Sequence, residues 1–107
     1  MAIELNNLVS TMVDAGRTMT GDIWEQIETF AVPELRKIGI QIQAIVDNAA
    51  DFSPEGARAL FDMQVKASIG VIVAMTTMTL LAVQNAINAV IAAVRGMVNG
   101  ALPFPLL

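Results

Sequence analysis

Apolar residues along the first half of the chain recur in steps of three and four. Leu5, Leu8, Met12, Gly16, Met19, Ile23, Ile27 and Phe30 form one such series, the spacing of a single helix face. Glu4, Asn7, Thr11, Asp14, Thr18, Asp22, Glu25 and Thr29 form a second series with the same steps. Two complementary stripes are the signature of an amphipathic helix. A further series, Ala31, Leu35, Ile38, Ile42, Ile45 and Ala49, alternates four and three, as in helices that pack along one another. The pattern predicts a first helix over about residues 3–50. Pro33 removes a backbone donor and crowds the preceding turn, so a kink is expected near it. Gly16, Gly21 and Gly39 are expected to weaken the helix by up to about 1 kcal/mol each.

Asp51-Phe52-Ser53-Pro54-Glu55 marks a boundary. Serine is a strong N-cap, proline suits the first helical position, and glutamate in the first turn complements the helix dipole. A second helix is expected over about residues 54–98, ending at Asn99-Gly100, where glycine could supply a left-handed cap. Arg58, Asp62 and Lys66 stand four apart with alternating sign, as on an exposed helix face. The short connection between the helices implies antiparallel neighbours. The expected fold is therefore all-α, a single domain over residues 1–107 built as a long helical hairpin. Its tail, residues 101–107, is apolar and carries Pro103 and Pro105; it is expected to be extended.

Charge divides the chain unevenly. Residues 1–66 hold 15 of the 16 charged side chains, and residues 67–107 hold only Arg95. Lys66 and Arg95 bracket 28 uncharged residues, which as one helix would reach about 42 Å. A bilayer core is about 30 Å thick, so this stretch predicts a transmembrane helix or the central helix of a protein assembly. Apolar residues make up 55% of the chain and charged residues 15%. So small a chain is expected to need copies of itself, or lipid, to cover that much apolar surface.

Within the uncharged stretch, Ala82, Ala86, Ala89 and Ala93 form a small-residue stripe, expected to be a close helix–helix contact. Gln84, Asn88, Arg95 and Asn99 form a polar stripe, expected to face a polar interior because amides are costly against lipid. Leu102, Phe104, Leu106 and Leu107 would be an exposed apolar patch if free and are expected to dock in a groove of an adjacent subunit. Trp24 and Phe30 near the apolar side of the first helix suggest either an interfacial helix or, with an acidic opposite face, ordinary packing.

Catalytic and cofactor chemistry find little footing. The chain has neither cysteine nor histidine, which removes thiolate ligands and the commonest general base. Serines occur only at positions 10, 53 and 68, with no histidine to activate them. No phosphate-binding glycine loop occurs. Asp14, Asp22, Glu25 and Glu28 run along one helix side and read as a solvated face, not a cation site. The net charge of −4 and pI near 4.5 argue against nucleic acid as a partner. The opening MAIELNN lacks the basic start of a cleavable signal peptide. The composition, and nothing more specific, resembles that of small helical proteins of phage particles, secretion pili and holins. The sequence predicts a non-enzymatic structural subunit without cofactors, whose partners are its own copies, lipid and other subunits of a larger assembly. It would be membrane-associated or virion-type, with a channel or conduit among its roles. A soluble helical-bundle scaffold or adaptor that buries its second helix against a partner protein is the alternative.

Overall fold

The computed structural model describes residues 3–107. Among them are five α-helices and no strand: α1 (Leu5–Arg17), α2 (Ile23–Asp47), α3 (Pro54–Met75), α4 (Leu80–Ala92) and α5 (Arg95–Gly100). A single 3-10 turn, Ala49–Asp51, joins α2 to α3. The all-α class matches the expectation. Each of the two long helices that were expected is instead divided.

The first division falls at residues 18–22. Arg17 ends α1, and Gly21 has φ of +84°, a left-handed conformation that glycine alone adopts without strain. The chain thereby reverses, and α2 returns along α1. A Cβ at Gly39 would lie 3.0 Å from Leu5 Cδ1 and 3.2 Å from Val9 Cγ2, while one at Gly16 would lie 2.5 Å from the Trp24 ring. The start of α1 thus faces the later part of α2, and its end faces the beginning. Gly16 and Gly39 are points of closest approach between two helices, which is why they occur inside helical segments despite their low propensity. Pro33 does not break α2, which continues through it; the ring is on the exposed side.

The second division falls at residues 76–79. Thr76 takes an extended conformation (φ −127°, ψ 175°), and its hydroxyl donates to the Ile72 carbonyl at 2.8 Å. Thr79 then caps α4, accepting from the Ala82 amide at 3.2 Å. Competition of threonine hydroxyls for backbone groups favours such helix ends. A third interruption, at Ala93 and Val94, separates α4 from α5. The uncharged stretch is consequently not one helix, and among the described residues no helix is long and apolar enough to cross a membrane. The transmembrane helix expected over residues 67–94 is thereby corrected. The cap at Ser53 is as expected, with the Gly56 amide donating to Ser53 Oγ at 3.0 Å and Pro54 opening α3.

The core is one cluster fed by every helix. Leu8, Met12, Ile27, Leu35, Ile38, Ile42, Ile45, Ile72, Val83, Ile87, Val90 and Val94 are fully enclosed. α2 is flanked by α1 and α3, and α4 packs across all three. The accessible surface is 5792 Å², close to the roughly 5,800 Å² expected of a folded monomer of 11.4 kDa. The radius of gyration is 13.4 Å, near the value of about 13 Å for this length. A single copy therefore covers its core about as well as an average monomer does. Outside that core Ile40, Met63, Met75, Leu80 and Leu81 remain exposed.

Candidate surface around α4

The face of α4 turned away from the core differs from that of an ordinary surface helix. Val83, Ala86, Ile87, Val90 and Ile91 are buried. The exposed positions fall between them in adjacent pairs: Leu80 and Leu81, Gln84 and Asn85, Asn88 and Ala89, Ala92 and Ala93. None of these is charged, whereas the outward face of a surface helix normally carries charge. Leu80 is 58% exposed and Leu81 66%. Val71 and Met75 on α3 are exposed as well, so apolar side chains gather where α3 turns into α4.

Two depressions flank α4. One, an open groove of about 520 Å³, is lined by Met19, Thr20, Ile23, Met78, Ala82 and Asn85, together with Ala86 and Ala89. The other, about 280 Å³, lies between α4 and α3, with Lys66, Ile69, Gly70, Leu80 and Gln84 on its walls. Lys66 is engaged with Asp62 at 2.8 Å, and this hydrogen-bonded carboxylate holds the ammonium pKa above its usual value.

The expected alanine stripe divides across this geometry. Ala86 is buried, Ala82 is half-buried, and Ala89 and Ala93 are exposed. Ala86 packs within the chain's own core cluster. The expected polar stripe does not line an interior of this chain: Gln84, Asn88 and Arg95 are exposed. Asn99 is half-buried and serves the tail. Its Oδ1 accepts from the Leu106 and Leu107 amides at 2.9 and 3.0 Å, and its Nδ2 donates to the Leu107 main-chain oxygen at 3.1 Å. Arg58 Nε donates to the Pro105 carbonyl at 2.9 Å. The tail therefore bends back onto its own chain, with Leu106 buried and Leu102, Phe104 and Leu107 packed against the core. Within the single chain, the tail residues expected to dock in an adjacent subunit rest on this chain's own surface. Gly100 does not adopt a left-handed cap, since Gly21 is the only positive-φ residue among those described.

Trp24 is buried against Gly16, and its indole N–H donates to Glu28 Oε2 at 2.8 Å. Packing between α1 and α2 thus replaces the interfacial role as the account of this side chain. Asp14, Asp22 and Glu25 are exposed, and the described residues contain no group of carboxylates arranged to hold a metal ion. The paired uncharged residues on α4 were visible in the sequence, but only the burial pattern separates them from the core positions between them. No family model, no curated protein and no solved structure matches the chain.

Proposed function

We propose that this chain is a non-enzymatic structural subunit that self-associates, using the uncharged surface centred on α4. The observation that carries this reading is the distribution of charge. All ten carboxylates lie between Glu4 and Asp62, at the N-cap of α1, on α1, α2, the first half of α3 and the connections between them. Two copies of a molecule with net charge −4 repel when their acidic faces approach within about a Debye length, roughly 8 Å at physiological salt. α4 itself carries no carboxylate and offers exposed leucines. Any role within a particle, conduit or membrane-bound assembly builds on this contact and uses no membrane-spanning helix.

A second reading, a scaffold or adaptor for a different protein, draws on the open groove beside α4, whose apolar, methionine-containing wall suits an incoming side chain. Sedimentation velocity across a concentration series without detergent tests the first reading. A defined oligomer that grows with concentration is the expected result. A monomer at every concentration overturns self-association, and a monomer that floats with phosphatidylcholine vesicles would assign the α4 side to lipid instead.

A further inference from the structure

The exposed face of α4 is complementary to itself when turned end for end. Its N-terminal end presents the two large residues Leu80 and Leu81, and its C-terminal end presents the two small residues Ala92 and Ala93. Between them stand Gln84, Asn85, Asn88 and Ala89. We propose that two copies pair through α4 antiparallel to α4, about a two-fold axis crossing the exposed face between Asn85 and Asn88. This rests on the self-association proposed above and specifies its interface.

In that arrangement Leu81 of each copy lies over Ala92 of the other, while Leu80 and Ala93 stand at the flanks of the contact. Large residues oppose small ones at both ends, the matching that lets facing helix surfaces interdigitate. Near the axis Asn85 of one copy meets Asn88 of the other. A carboxamide carries both donor and acceptor groups, so the two amides can satisfy each other across the axis. Ala89 faces Gln84, leaving room for the longer amide. A two-fold contact of this kind uses the same patch on both partners and closes. A parallel arrangement would instead set leucine on leucine and alanine on alanine, leaving a gap at one end.

Charge agrees with the pairing. No carboxylate is present anywhere on α4 or α5, so the two α4 helices approach without like-charge contact. Lys66, beside Leu80 and Gln84, is already paired with Asp62 and adds no unpaired positive charge at the rim. The order large, amide, small is matched by the same order reversed, which a second copy supplies.

The chain has no cysteine, so introduced thiols are unique. The test is oxidative cross-linking of the full chain carrying Leu81→Cys, of the full chain carrying Ala92→Cys, and of an equimolar mixture, each checked for native helicity by circular dichroism. Antiparallel pairing places the two copies of residue 81 about 16 Å apart along the axis, from the helical rise of 1.5 Å per residue. That is beyond the roughly 7 Å limit for a disulfide. The expected result is a covalent dimer in the mixture, containing one chain of each kind by mass spectrometry, and none from either variant alone. Dimers of Leu81→Cys alone would overturn the antiparallel register. A wild-type oligomer in sedimentation with no cross-link in the mixture would overturn the α4 pairing and leave self-association standing. A wild-type monomer would overturn both.

Discussion

Gly16 sets how closely α1 and α2 approach, because the Trp24 ring occupies the space a Cβ would fill at 2.5 Å. Gly16→Ala should destabilise the fold by about 1–3 kcal/mol through overpacking, read as a lowered urea midpoint. The change would stabilise an isolated helix, so a rise in the midpoint would show that the indole moves aside at little cost. Nearby, Glu28 accepts from Trp24 Nε1 at 2.8 Å and from Arg17 Nε at 3.3 Å. The indole N–H first, and then the guanidinium, hold its pKa below the ordinary glutamate value. A depressed carboxyl pKa contributes stability that is present above the unfolded-state value and is lost as pH falls through the folded-state value. Thermal unfolding should therefore show the wild type losing stability relative to Glu28→Gln as the pH drops below the ordinary glutamate range. A difference between the two that stays constant with pH would remove the carboxylate from this role.

At the scale of elements, most of the two apolar stripes was legible, with Leu5, Met19, Ile23, Phe30 and Ala49 only half-buried. Leu8, Met12, Ile27, Leu35, Ile38, Ile42 and Ile45 are all fully enclosed, at the positions their spacing assigned to the core. The breaks were less visible because each occurs without disturbing the apolar rhythm. The steps Gly16, Met19, Ile23 continue across a chain reversal, since α1 and α2 turn the same face to one core. Thr76 and Thr79 supply a helix end and an N-cap with no proline or glycine beside them to mark the break. The absence of charge after Lys66 suggested continuous burial. In fact many of these positions are exposed, filled by alanine, glycine, threonine and amides and by Val71, Met75, Leu80 and Leu81. Lack of charge and burial are distinct properties, and only the three-dimensional pattern separates them. Thr79→Ala removes the acceptor for the Ala82 amide and should cost about 1 kcal/mol, measured by chemical denaturation. Thr79→Ser should retain most of that stability; equal losses in both variants would point to packing of the threonine methyl instead.

For the whole molecule, every carboxylate falls within the first 62 residues and α4 carries none, on a core that a single chain encloses. Folding and association are then separable. Leu81 is 66% exposed, so Leu81→Glu should leave the unfolding midpoint nearly unchanged, within about 0.5 kcal/mol, as for other surface substitutions. It should weaken self-association at least tenfold, equivalent to about 1.4 kcal/mol, as read by sedimentation. An unchanged oligomer would move the interface away from α4. Ala86→Leu should behave in the opposite way. Ala86 is buried within the chain, so the larger side chain should lower fold stability by about 1–3 kcal/mol before any effect on assembly.

The hydrogen-bonded indole of Trp24 has a practical consequence. The chain contains one tryptophan and no tyrosine, so near-ultraviolet emission comes essentially from a single ring held at the seam of α1 and α2. The molecule thus carries its own optical gauge of that seam. Its spectrum will follow separation of the two helices, while light scattering from the same cuvette follows particle mass. Fold and assembly can be recorded together in one unlabelled sample, and a condition that changes one signal without the other identifies which of the two it acts on.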